Sequence, residues 1–151
     1  MNGFSRLPAL LLVMTLLLVS APAAWAREMV SSAVRTLNLR SGPGVGNPAH
    51  WTVTRGYPFQ VLQRKGDWLQ VRDFEGDRAW VYRSMTNKVP HRVVKAQVAN
   101  LRRAPGARGP IVKKAGYGDV LRTLEKRGKW TKVRHEGGAV GWVATSLTWG
   151  W

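Results

Sequence analysis

The chain contains no cysteine. That rules out disulfides, one common remedy when a small exported domain has too little core, and it removes any thiolate nucleophile. Acidic residues are scarce too: 8 against 24 Lys and Arg, a net charge of +16. An excess of that size implies anionic surroundings or anionic partners. The three histidines, His50, His91 and His135, stand apart from one another and from any H-E-x-x-H spacing, so no metal site is expected. Neither a G-x-S-x-G elbow nor a Gly-rich phosphate loop occurs. Without a standard nucleophile, metal set or cofactor fingerprint, the expectation is a protein that is not an enzyme and needs no cofactor. Beyond residue 26 no stretch keeps a helical period over three turns.

The longest hydrophobic run lies near the start. Arg6 is the only charge before Arg27, the apolar stretch Ala9 to Val19 follows it, and Ala24-Trp25-Ala26 closes the segment. Positive, then apolar, then A-x-A is the order of a secretory signal peptide, here residues 1–26. Its strongly apolar part spans 11 residues, whereas a membrane-crossing helix needs about 20. Cleavage after Ala26 is expected, leaving no transmembrane segment and a periplasmic or secreted protein. Arg27 to Trp151 then holds 23 bases and 8 acids, a net +15. In that compartment the polyanions are cell-wall polymers, lipid head groups and lipopolysaccharide, which disfavours nucleic acid as the partner.

What the chain does have is one block written twice. Asn38-Leu39-Arg40 returns 62 positions later as Asn100-Leu101-Arg102, and the register holds without a gap to Thr86 and Thr148. It gives 17 identities in 49 aligned positions, where average usage would give roughly 3. Most matches are Gly, Pro, Trp and Val, types that set turns and fill cores. The copies differ in charge: residues 37–86 carry +3 and residues 99–148 carry +8.

Within the first copy, Val34 to Arg40 alternates as a strand does, with Leu37 and Leu39 on one face. Pro43-Gly44 suits the centre of a type II turn. Trp51 to Thr54 is a short β-rich run. Phe59 to Gln63 and Trp68 to Asp73 form a hairpin over Lys65-Gly66-Asp67, with Leu69 and Val71 inward. Phe74 to Asp77 makes the next turn, Ala79 to Tyr82 the next strand, and Ser84-Met85-Thr86 a closing helical turn. About five short strands per ~50 residues, with turn signals every 8–12, point to an all-β fold of two tandem small β-barrels. Residues 27–35 read as a flexible lead, 36–86 as the first barrel, 87–97 as a basic linker, and 98–151 as the second barrel with a Trp-rich tail. Val93-Val94 is the alternative opening strand of that second unit. Trp149 and Trp151 are expected to fold back over the second barrel or the seam, because two exposed indoles at a chain end are costly.

N-L-R-S-G-P-G at 38–44, G-D-W-L-Q-V-R-D at 66–73 and W-V at 80–81 resemble the bacterial SH3-like domain. So do N-L-R-R-A-P-G at 100–106, G-K-W-T-K-V-R at 128–134, G-W-V at 141–143 and Ser146-Leu147. Ala79 and Ala104 depart from the pattern by replacing glycines. The resemblance covers residues 36–148. It implies SH3-like barrels in an exported bacterial protein, used for targeting or binding peptidoglycan or another envelope ligand. Wall enzymes that carry such modules use a cysteine or zinc, and this chain offers neither.

Candidate ligand-facing aromatics are Trp51, Tyr57, Trp68, Trp80, Tyr117, Trp130 and Trp142. The repeated pairs Trp68/Trp130 and Trp80/Trp142 fit a core at least as well as a shelf for sugars or peptide. Side chains present in one copy only make better ligand candidates, because the shared framework does not require them. Candidate anion contacts are Arg102, Arg103, Arg108, Lys113, Lys114, Lys126, Arg127, Lys129, Lys132 and Arg134. A basic run is often just a solvated face; the +8 against +3 is what favours a meeting with an anionic surface. Asp73, Glu75 and Asp77 read as solvated turn formers around Gly76. The expected function is non-catalytic binding of peptidoglycan or another envelope polyanion. The alternative is an adaptor docking to an exported protein.

Overall fold

A computed structural model describes residues 27–151; the signal-peptide reading of residues 1–26 lies outside the described residues. The first unit comprises β1 (Met29–Ser32), β2 (Thr36–Arg40), β3 (Ala49–Thr54), β4 (Pro58–Lys65), β5 (Trp68–Arg72), β6 (Arg78–Tyr82) and β7 (Thr86–Asn87). The second comprises β8 (His91–Val94), β9 (Val98–Arg102), β10 (Ile111–Gly116), β11 (Val120–Arg127), β12 (Trp130–His135), β13 (Val140–Ala144) and β14 (Thr148–Gly150). A single 3-10 turn precedes β7 (Arg83–Met85) and β14 (Thr145–Leu147). Strand order is β3-β2-β6-β5-β4-β1-β7 in one sheet and β10-β9-β13-β12-β11-β8-β14 in the other, the same order element for element. These are two tandem SH3-like domains.

Irregularities repeat as faithfully as strands. The β4–β5 ladder slips between Val61 and Gln63, and the β11–β12 ladder between Thr123 and Glu125. The shared Leu62/Leu124 position is therefore a bulge that bends the long strand. At the hairpin tips Gly66 and Gly128 adopt φ of 57° and 56°, a left-handed conformation that costs other L-residues about 1–2 kcal/mol. Alternation does the rest. Leu37, Leu39, Phe59, Leu69, Val71 and Val81 fill the first core, and Leu101, Leu121, Val133 and Val143 the second. Burying each such side chain is worth roughly 1.5–3 kcal/mol.

Three expectations need correction. Residues 27–35 are not a flexible lead: β1 lies within them, pairs with β4 and β7, and buries Val30. Residues 87–97 are not only a linker, because β8 pairs with β11 and β14 and buries Val93 and Val94. Both strands cover what would otherwise be a bare edge of β4 or β11. Third, Gly44 does not have the positive φ of a type II turn. The loop turns instead at Gly44–Asn47 (N···O 3.2 Å), with the Arg40 guanidinium donating to the carbonyls of Val45 (3.1 Å) and Asn47 (2.8 Å).

The tail folds back on the second barrel. Beyond the β14–β8 pairing, the Trp151 N–H donates to the His91 carbonyl (3.2 Å) and Thr123 Oγ1 donates to the Trp151 carbonyl (2.5 Å). The barrels also touch each other. Ser31 Oγ and His91 Nδ1–H both donate to the Val89 carbonyl at 2.9 Å. The Tyr117 hydroxyl donates to Glu75 Oε1 at 2.9 Å, and its ring lies 5.3 Å from that of Phe74.

Candidate functional site

The repeated tryptophans separate into two kinds. Trp80 sits across from Gln70 and Arg40, and Trp142 across from Lys132 and Arg102. Those registers place both indoles on the outer side of their sheets, and neither belongs to a barrel core. They are nonetheless covered, with 9% and 5% exposure. Little of either indole is therefore open to a ligand; the Arg127 guanidinium caps the Trp142 ring at 5.0 Å from its centroid. Tyr57 is half-buried against Phe59 and Phe74 at 5.1 and 6.3 Å between ring centroids. It packs against the first core, and burial and then the neighbouring Asp73 charge push its hydroxyl pKa up. Trp51 packs against the first core and stacks on His50.

Trp68 is different. Its ring meets Tyr82 edge-on at 5.3 Å and 64°. The two line an apolar groove of about 190 Å³ with Leu37, Asn38, Arg40, Val45 and Met85. Val45 and Met85 on its rim are 79% and 42% exposed. The second copy has Ala99, Ala107, Ala144 and Leu147 in place of Leu37, Val45, Tyr82 and Met85. Trp130 therefore has no aromatic partner at the position of Tyr82. The groove belongs to the first barrel; Tyr82 was not among the sequence candidates, and its occurrence in one copy only is the signal that could have found it.

Besides Arg102, the basic candidates are spread over the 103–110 loop, β10, β11, the β11–β12 hairpin and β12, and most of them are exposed. Arg103, Arg108, Lys113, Lys114, Lys126, Arg127, Lys129 and Arg134 are exposed, and Lys132 is half-buried. Arg102 is occupied: its Nη1 donates to the Gly109 carbonyl at 2.9 Å, as Arg40 does in its own loop. The arginine of the repeated Asn-Leu-Arg motif is a loop clasp. Arg127 also pairs with Glu125 at 2.9 Å, a surface contact worth little.

A second concavity, about 490 Å³, opens between the barrels. Arg35 and Arg55 line it from the first, and His91, Arg122, Arg134, His135 and Glu136 from the second. Of these only Arg134 was singled out in the sequence. The acidic tip beside this seam is not wholly solvated. Asp73 is 6% exposed, and its Oδ1 accepts the N–H groups of Glu75 and Asp77, both at 2.9 Å. Burial outweighs those two bonds and raises its pKa. Among the described residues no group of three or more His, Asp or Glu is placed to hold a metal. No helix among them is long and apolar enough to cross a membrane.

A sequence model described as the bacterial SH3 domain matches residues 33–88 and again 95–150. The chain belongs to the bacterial SH3 domain family. Bacterial SH3 domains are typically binding modules, and this chain carries two. It is also similar to YrvJ of Bacillus subtilis (strain 168), whose name assigns it as an N-acetylmuramoyl-L-alanine amidase, with 24% identity over 124 residues. That match covers 75% of this chain and 24% of the relative, so the chain spans about a quarter of that relative's length. Among solved structures, NlpC1 of Trichomonas vaginalis aligns over 89% of this chain and 50% of its own, at 13% identity and a TM-score of 0.36. An NlpC/P60 family protein of Bacillus cereus ATCC 10987 aligns over 82% and 56%, at 14% identity and a TM-score of 0.39.

Proposed function

We propose that this protein is a non-catalytic, exported binding module that holds peptidoglycan or another anionic envelope polymer. The observation that carries the reading is the surplus of exposed Lys and Arg on the second of two barrels of the same topology, +8 over residues 99–148 against +3 over 37–86. The two barrels share one strand order, so charge that accumulates on one copy answers to something outside the fold. The Trp68–Tyr82 groove adds shape on the other barrel, with an apolar wall and few polar groups, as small ligand sites have. The amidase relative is consistent with work at the cell wall. A second reading is favoured by a different feature. Ile111 and Val112 are exposed on β10, an edge strand of the second sheet, and Val140 on β13 is exposed as well. An adaptor docked to an exported protein would cover them.

Co-sedimentation with purified sacculi across a salt series tests the first reading. Retention at low salt that fades as salt rises supports it, since exposed charges act through a screened sum. No retention at any salt favours the adaptor. Hydrolysis of the wall in the same tube contradicts a non-catalytic role.

A further inference from the structure

We infer that the cleft between the barrels is a binding site for clustered oxyanions, either phosphate groups or closely spaced carboxylates. The β11–β12 register sets Arg122 directly opposite Arg134, and like charges facing each other across a ladder destabilise it. In the first barrel the corresponding pair is Gln60 and Arg72. There the strain is absent, because the Arg72 guanidinium donates to Gln60 Oε1 at 2.7 Å. The second barrel has exchanged a hydrogen-bonding partner for a second cation.

Arg35 and Arg55 complete the cleft from the first barrel, and the second copy carries Gln97 and Tyr117 at those positions. Three of the four guanidinium groups are thus found where the shared framework does without them. None of the four takes part in a salt bridge among the described residues. Glu136 is the cleft's own carboxylate, and His91 forms part of its wall. Several planar forks around one cavity suit bidentate capture of phosphate or carboxylate oxygens. A volume near 490 Å³ admits a ligand larger than a single ion. The inference rests on the envelope-polymer reading only for where the anion comes from.

Titration calorimetry of residues 27–151 with pyrophosphate and with citrate, at low ionic strength, tests the site. Arg35→Gln/Arg122→Gln removes two of its cations, and Arg122→Gln reinstates the Gln–Arg pair of the first barrel, so this variant should fold. Lys65→Gln/Arg78→Gln removes the same charge from elsewhere on the first barrel. The expected result is at least a tenfold loss of probe affinity in the cleft variant and less than a twofold loss in the control. Tighter pyrophosphate than citrate assigns the anion to a phosphate-bearing source, and the reverse assigns it to peptide carboxylates. Equal losses in both variants, or no binding of either probe to the unaltered chain, overturn the site. Sacculus retention without probe binding defeats the cleft alone; probe binding without sacculus retention defeats the polymer reading alone.

Discussion

Replacing Gly56 by alanine measures the contact between the barrels, because the duplication supplies its own control. Gly56 and Gly118 occupy matching positions with φ of 83° and 84°, so alanine meets the same backbone penalty at both, about 1–2 kcal/mol. Their surroundings differ. A Cβ on Gly118 meets nothing within 4 Å, whereas one on Gly56 lies 2.7 Å from Cδ2 and Nε2 of His91 and 3.1 Å from Val120 Cγ1. The His91 ring cannot easily swing aside, since Nδ1 is fixed on the Val89 carbonyl at 2.9 Å. Overpacking of this kind costs about 1–3 kcal/mol. Gly118→Ala should therefore destabilise by about 1–2 kcal/mol and Gly56→Ala by about 2–5 kcal/mol. Urea denaturation followed by tryptophan fluorescence reads the difference. For a chain of this size the excess corresponds to a further ~4 °C of melting temperature per kcal/mol. Losses equal to within about 0.5 kcal/mol would refute a seam in which Gly56 packs on His91.

Three further outcomes follow from the same contacts. Asp73→Ala removes the acceptor for two backbone N–H groups and should cost about 1–3 kcal/mol, read from the denaturation midpoint; an unchanged midpoint contradicts the turn role. Gly150→Ala would set a Cβ 2.2 Å from the His91 carbonyl oxygen. It should break the β14–β8 pairing and raise amide exchange at Val93, and slow exchange there would contradict the tail's place. His91 shares its cleft with Arg35, Arg55, Arg122, Arg134, His135 and Glu136. Burial, helped by Arg122 and opposed by the Val89 carbonyl, lowers its pKa below 6.5. The unfolded chain then takes up that proton first, so stability is full above about pH 6.5 and declines as pH falls through the lower folded value. Denaturation midpoints at pH 7.5 and 5 should show the decline, and His91→Gln should lessen it; an identical decline in that variant would contradict the assignment.

The architecture was readable because it is specified by short-range chemistry used twice. Gly66 and Gly128 mark hairpins by backbone conformation, and Leu37, Leu39, Leu69 and Val71 mark inward faces by simple alternation. The closing strands β1 and β8 were harder to read. Four residues of mixed character, Met29–Ser32 or His91–Val94, become strands only because a distant edge is there to pair with them. Trp80 and Trp142, whose burial fits the packing reading the sequence allowed, were only partly legible for a related reason. Alternation puts them outward, and the Arg127 guanidinium over Trp142 is a cover that no local pattern announces. The groove partner Tyr82 and the cleft residues Arg35, Arg55 and Arg122 were visible as differences between the copies. Their convergence is a property of tertiary packing.

The central claim is that the second barrel's surplus charge is what holds the chain to an anionic envelope polymer. Its most direct test is sacculus co-sedimentation at low salt, comparing the unaltered chain with Lys113→Gln/Lys114→Gln/Lys126→Gln/Lys129→Gln, after equal urea midpoints establish that both are folded. At least a tenfold drop in retention, together with a shallower dependence on salt, is the predicted result. Undiminished retention with an unchanged salt dependence would contradict it.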